Sequence, residues 1–163
     1  MQNRQKRTVH CLQILLTITF LCMLTGCWSM PKEMYYSDFD RDQIVSIDVY
    51  DCSEEVNHHQ SVNTRTLLDR NPLFSLDDSQ IDPFLQDLSE IRFYDEGGLL
   101  IGAVDPSFNF GKWVVRIGFT DGSYWYLSDR SYCAKENSDG SGSAQHLHPD
   151  SEEWEALIKQ YMP

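Results

Sequence analysis

The strongest constraint on the fold is a pair of β-rich runs between Lys112 and Ser128, which flank Asp121-Gly122. Because Asp-Gly accepts the positive φ angles of a type I′ turn, the spacing predicts a hairpin with a two-residue turn. In that register Trp125 lies opposite Gly118 and covers its bare backbone. The hairpin commits this part of the chain to an antiparallel sheet.

Periodicity elsewhere predicts the other elements of an α+β fold. Residues 43–50 alternate as a half-buried strand, 62–68 predict a returning strand, and 91–94 predict another. Apolar stripes at helical spacing predict one helix over 79–88 and a final helix that Ser151 caps. This order predicts an antiparallel sheet of about five strands with two helices packed on it.

The first 26 residues have the pattern of an export signal. A basic start, Arg4 to Arg7, precedes an apolar run of 16 residues from Val9 to Leu24. A bilayer-spanning helix needs roughly 20 apolar residues, so the run favours a cleaved signal peptide over an uncleaved membrane anchor. We therefore assign residues 1–26 to a signal peptide.

Leu24-Thr25-Gly26-Cys27 closes this segment and resembles the lipobox of bacterial lipoproteins. The resemblance covers residues 1–27 and implies that the Cys27 thiol carries a diacylglycerol and that the chain is cut just before it. Two acyl chains give stable attachment, whereas one chain binds only marginally. The resemblance implies a protein that is lipid-anchored to the cell membrane and faces the extracytoplasmic side.

The remaining residues divide into a tether and one domain. Residues 27–42 hold the lipidated cysteine and a stretch without periodicity, and 43–163 form a single extracytoplasmic domain. Loops are predicted at Gly97-Gly98, at Asp105-Pro106 and over 136–146. The pattern of the domain is similar to small secreted domains of Gram-positive bacteria that have no assigned activity.

Charge limits the partners of this domain. The chain has a net charge of −12, and residues 1–26 hold three of its 13 basic residues and no acidic one, which leaves −15 for residues 27–163. Nucleic-acid binding relies on Lys and Arg to displace counterions, so the composition argues against it. Anionic lipid headgroups would also repel the domain.

Cys52 and Cys133 are the thiols left after the signal and the lipid site are set aside. Each follows a predicted strand, and a disulfide persists outside the cytoplasm. We keep two alternatives at this point, a Cys52–Cys133 disulfide and two unpaired thiols. Neither cysteine lies in a recognisable nucleophile motif.

Tyr124, Trp125 and Tyr126 are the candidate binding residues of the hairpin. Stacked on sugar rings, they would form an aromatic face for glycans of the cell wall or host. Because side chains alternate along a strand, at most one face of the hairpin can do this, and the other is needed for the core. The alternative is that these rings pack in the core.

No cofactor and no metal site is expected. The spacing of four histidines matches no common zinc motif: His58, His59, His146 and His148. Acidic side chains at positions 38, 40 and 42 match the start of an EF-hand loop, but Gln43 stands where its turn glycine is required.

These observations predict a lipid-anchored domain that binds or assists an unidentified envelope protein, extracellular protein or glycan without catalysis. Two alternatives from other classes stay open: a cell-envelope hydrolase, and an inhibitor or immunity-type domain whose acidic surface blocks a basic partner.

Overall fold

One antiparallel sheet organises the part of the chain that the computed structural model describes, residues 32–34, 39–103, 110–130 and 133–163. These residues belong to one compact unit, Pro31–Pro163. The signal segment, Cys27 and Asp105-Pro106 lie outside the described residues, so the predictions made for them stay predictions.

Eight strands form this sheet in the order β1-β4-β8-β7-β6-β5-β2-β3. Their bounds are β1 Lys32–Met34, β2 Ile44–Asp51, β3 Phe74–Ser75, β4 Phe93–Ala103, β5 Trp113–Phe119, β6 Tyr124–Ser128, β7 Cys133–Glu136 and β8 Ser141–Pro149. Every neighbouring pair runs antiparallel.

Four α-helices accompany the sheet within the described residues. They are α1 Ser53–Asn57, α2 Thr64–Leu68, α3 Asp78–Glu90 and α4 Ser151–Tyr161, and a short 3-10 helix spans Arg41–Gln43. The predicted class, α+β with an antiparallel sheet, is confirmed, whereas the predicted numbers of about five strands and two helices are too low.

Helices α3 and α4 confirm the two helical stripes, with different caps. The Asp77 side chain accepts hydrogen bonds from the backbone at the start of α3, and Pro83 lies inside the helix. Asp150 caps α4 in place of Ser151. In both cases a carboxylate satisfies the unpaired N–H groups of the first turn.

The strand predicted over 62–68 is wrong, because this segment contains α2. Asn63 and Thr66 form a reciprocal capping box: the Asn63 side chain accepts from the Thr66 N–H, and the Thr66 hydroxyl accepts from the Asn63 N–H. Two backbone donors are satisfied at once, which favours a short helix despite the β-branched residues of the segment.

The hairpin lies where it was predicted, but its register is shifted by one residue. The Gly122 N–H donates to the Phe119 carbonyl, the Phe119 N–H donates to Ser123, and Gly122 has a φ of 79°. This is a three-residue loop with a glycine bulge and not a two-residue type I′ turn. Trp125 therefore pairs with Ile117 and not with Gly118.

Several segments predicted as irregular belong to the sheet. Gly97-Gly98 lies inside β4, and the stretch 136–146 forms the β7–β8 turn and most of β8. Within the predicted tether, Lys32–Met34 pairs with β4 as strand β1. The sheet thus begins before residue 43, the predicted start of the domain.

The two faces of the sheet carry separate apolar clusters. On one face, called the helix-covered face, α3 and α4 supply Phe84, Leu88 and Trp154 to a core that includes Ile47 and Ile117 of the sheet. The opposite face holds a smaller cluster with members of β2, β5, β6, β7 and β8. The members of that cluster are Tyr50, Cys52, Val62, Leu67, Phe110, Val114, Tyr126, Ala134 and Ala144.

Among the described residues, no helix combines the length and the apolar character that crossing a membrane would require.

Candidate functional site

Charged and aromatic side chains meet on the sheet face opposite α3 and α4. We call this group the Arg116 cluster, and it consists of Asp48, Tyr50, Arg116, Tyr124, Tyr126 and Glu136. Strand pairing brings them together: Asp48 lies opposite Arg116, Arg116 opposite Tyr126, and Tyr124 opposite Glu136. Because side chains two residues apart share a face, Asp48 and Tyr50 point the same way.

A buried ion pair forms the centre of the cluster. Arg116 donates to Oδ2 of Asp48 from Nη2 at 2.8 Å and from Nε at 3.3 Å. The side chains are only 19% and 10% exposed. The Ser75 hydroxyl donates to the other oxygen of Asp48 at 2.6 Å. Burial alone would lower the pKa of Arg116, but its hydrogen bond to Asp48 raises that pKa above its ordinary value.

Two tyrosine rings hold the guanidinium group in place. Its central carbon lies 5.4 Å from the ring centroid of Tyr50 and 5.2 Å from that of Tyr124. A cation over a ring face is attracted by the ring quadrupole, worth about 0.5–2 kcal/mol per contact. Gly118 allows the approach of Tyr124, because a Cβ there would lie 3.3 Å from the Tyr124 ring. Tyr124, and not Trp125, covers this strand glycine.

The phenol groups of Tyr50 and Tyr126 are both buried, with different surroundings. The Tyr126 hydroxyl donates to Glu136 at 3.0 Å, and burial followed by this carboxylate raises the pKa of Tyr126. The Tyr50 hydroxyl makes no hydrogen bond to any described residue, and burial raises the pKa of Tyr50. A buried polar group without a partner normally costs about 1–3 kcal/mol.

Within the described residues, the hydrogen bonds of this cluster leave one donor group of Arg116 unused. Asp48 cancels the charge of Arg116, and among the hydrogen bonds of the described residues Arg116 uses only Nε and Nη2. Its Nη1 group is left as a donor whose direction the ion pair and the rings have fixed. The half-buried ring of Tyr124 lies beside it. A fixed donor next to an aromatic surface suits a ligand with both oxygen acceptors and an apolar face.

The three candidate aromatic residues of the hairpin are divided between the two faces of the sheet. Tyr124 and Tyr126 belong to the Arg116 cluster, and Tyr126 is fully buried. Trp125 points to the helix-covered face, where its ring packs edge-on against Phe39 at 5.8 Å. Of the three, the structure leaves Tyr124 as the residue placed to meet a ligand at this cluster.

The candidate disulfide is not formed, and the two thiols lie too far apart to form it. Cys52 follows β2 in the cluster opposite the helices, whereas Cys133 starts β7 and faces the helices. Strands β5 and β6 lie between them, so three strand spacings of about 4.8 Å separate the cysteines. A disulfide requires Cα atoms within about 7 Å.

The environment of Cys52 also makes its thiol a poor nucleophile. Burial raises the pKa of Cys52 to about 11, against the opposing effect of Arg70, whose Nη1 lies 3.7 Å from the sulfur. A thiol reacts as its thiolate, so little reactive form exists near neutral pH.

The histidines are separated in pairs. His58 and His59 are exposed at the end of α1, while His146 and His148 are partly buried on β8. The region that the structure describes contains no group of three or more His, Cys, Asp or Glu side chains able to hold a metal ion.

Two open cavities lie away from the Arg116 cluster. One has a volume of about 430 Å³, and its lining includes Asp51, Glu54 and Arg70. The other, about 330 Å³, includes Lys112 and Asp129. Burial raises the pKa of Asp129, although the backbone N–H of Trp113 stabilises its carboxylate. Both cavities mix acidic and basic groups.

Sequence reasoning missed Asp48, Tyr50, Arg116 and Glu136. One signal was present: Arg116 is the single charged residue within the apolar strand Trp113–Phe119. A charged residue inside a mostly buried strand needs a partner, and the partner was not evident because Asp48 lies 68 positions earlier.

Comparison with known proteins found no matching family model, no matching curated protein and no matching solved structure.

Proposed function

We propose that this chain is a lipid-anchored extracytoplasmic protein whose domain binds a ligand or partner protein and does not catalyse a reaction. Its location rests on the lipobox-like Leu24-Thr25-Gly26-Cys27 behind a basic and apolar segment. The binding role rests on the Arg116 cluster.

The observation that supports the binding role is that the charged groups of the cluster are engaged by other members of the cluster. Asp48 and Arg116 neutralise each other, and Glu136 accepts a hydrogen bond from the Tyr126 hydroxyl. Groups engaged in this way are poorly placed to exchange protons with a substrate. They instead fix the position of Arg116 Nη1 beside Tyr124, which is the preorganisation that binding requires.

Anchoring is tested by a Cys27→Ser variant expressed in a bacterium with labelled fatty acid. We expect the unchanged protein to carry the label and stay with washed membranes, and the variant to lose the label and to be released or to keep its signal. A Cys52→Ser variant is the matched control and should keep the label. Labelled, membrane-retained Cys27→Ser protein would contradict the proposal.

Binding is tested with purified full-length protein in detergent, titrated with solubilised cell-wall glycan fragments. The comparison is between Tyr124→Ala, which removes the ring, and Arg65→Gln, which changes an exposed arginine of α2. We expect Tyr124→Ala to weaken binding about tenfold, the effect of losing one stacked aromatic contact, and Arg65→Gln to have no effect. Equal affinity of all three proteins would exclude the cluster as the binding site.

The charge of −15 over residues 27–163 favours a second candidate, binding to a basic protein. Such a complex associates through long-range attraction, so its association rate falls steeply with added salt. Glycan binding through stacking and hydrogen bonds depends little on salt. The salt dependence therefore separates the two candidates.

A further inference from the structure

Strand β1 lies close in sequence to the proposed lipid site. Lys32, its first residue, is five positions after Cys27. An extended chain covers at most about 3.3–3.6 Å per residue, so the covalent connection from Cys27 to Lys32 reaches no further than about 17 Å. An anchor at Cys27 therefore keeps this edge of the sheet near the lipid headgroups.

The order of the strands gives the distance of each strand from this attached edge. β1 is the terminal strand, and β5, which carries Arg116, is five positions away in the order of pairing. Neighbouring strands lie about 4.8 Å apart, so β5 is about 24 Å from β1 and β2 about 29 Å. These values are measured along the sheet, and its twist shortens the straight-line distances.

Charge opposes an arrangement in which the sheet lies flat on the bilayer. Residues 27–163 carry −15, and an anionic leaflet repels them within a Debye length of about 8–10 Å. Only the β1 edge is forced close by the covalent connection. Repulsion of the remaining surface is relieved when the sheet stands away from the membrane.

We propose that the β1–β4 edge of the sheet faces the bilayer and that the sheet presents the Arg116 cluster to partners beyond the membrane surface. This inference rests on the proposed lipid attachment at Cys27. The partner of the β1–β4 edge is then the headgroup layer, and the partner of the cluster belongs to a layer farther from the membrane.

The test uses the full-length lipidated protein in vesicles of phosphatidylcholine and phosphatidylglycerol that contain a headgroup-linked quencher of short range. Single cysteines are introduced at Glu90, an exposed residue at the end of α3 three positions before β4, and at Val45, which is 60% exposed on β2. Each introduced cysteine is labelled with a fluorophore. Cys52 and Cys133 are buried, and a protein without the introduced cysteine is the control for their background labelling. We expect quenching to be at least about twofold stronger at position 90 than at 45, because five strand spacings separate β4 from β2.

The matched control lengthens the connection. A long Gly-Ser insertion between Pro31 and Lys32 should reduce quenching at position 90, because the edge is then free to move away. Equal quenching at the two positions, or stronger quenching at position 45, would overturn the proposed orientation while leaving lipid attachment intact. Protein that washes off the vesicles would overturn both the attachment and the orientation.

Discussion

Replacing one member of the buried ion pair tests the central contact of the Arg116 cluster. In Asp48→Asn, the guanidinium group of Arg116 stays 19% exposed and loses the charge that compensates it. Two unit charges about 4 Å apart attract by about 4 kcal/mol at the effective dielectric of about 20 that suits protein sites. The asparagine carbonyl can still accept one hydrogen bond, and the rings of Tyr50 and Tyr124 still face the cation. We therefore expect the free energy of unfolding to fall by about 3 kcal/mol, the low end for breaking a buried pair.

A double-mutant cycle separates this coupling from other effects. Arg116→Gln alone should also cost about 3 kcal/mol, because it leaves the carboxylate of Asp48 with Ser75 as its hydroxyl partner. The double variant Asp48→Asn/Arg116→Gln buries no unpaired charge, so the coupling energy should be about 2 kcal/mol or more. Ser75→Ala, which removes only a hydroxyl, is the control and should cost about 1 kcal/mol.

The assay is urea unfolding of the purified protein, followed by tryptophan fluorescence at low and high salt. Exposed ion pairs weaken with salt, so a coupling that persists in high salt identifies a pair shielded from solvent. A coupling energy below about 0.5 kcal/mol would refute the reasoning, because exposed pairs reach that value without burial.

Three further results are expected. Gly118→Ala should lower stability by about 1 kcal/mol, because its Cβ would lie 2.7 Å from Ser46 Oγ, and a second change, Ser46→Gly, should recover most of the loss in urea unfolding. Cys52, with its pKa raised to about 11, should react slowly with iodoacetamide at about pH 8 in the folded protein and quickly in urea without any reductant; a requirement for reductant would show a disulfide. Because burial raises its folded-state pKa, Tyr126 supports stability fully below the unfolded tyrosine pKa of about 10 and loses that contribution as pH rises further. The urea midpoint should therefore fall as pH rises above about 10, less steeply in Tyr126→Phe, and identical slopes would contradict this.

The elements that the sequence predicts best are those that a local pattern determines. The stripes of α3 and α4 repeat at helical spacing over 13 and 11 residues, and the structure confirms both helices. Helix α2 is only five residues long, too short for a periodic signal, and the contacts between Asn63 and Thr66 decide its conformation.

The Arg116 cluster was beyond sequence reasoning for a different reason. Asp48 and Arg116 meet because β2 pairs with β5. The local pattern of each strand predicts that it is a strand but not which other strand it pairs with. The register of the hairpin was also beyond local sequence reasoning. A slip of one residue turns each side chain of a strand to the other face, and Asp121-Gly122 fits both a two-residue turn and the three-residue loop that the structure has.

The loop at Gly122 also limits how a gene for this protein can change. Deletion of the codon for Ser123, which follows the loop, would place Tyr124 opposite Phe119, and this shift would turn Leu127 out of the helix-covered core and Tyr126 into it. A missense change at the exposed Asp121 leaves the register as it is. Descendant sequences should thus vary in the residues of this loop far more readily than in the number of residues in β6.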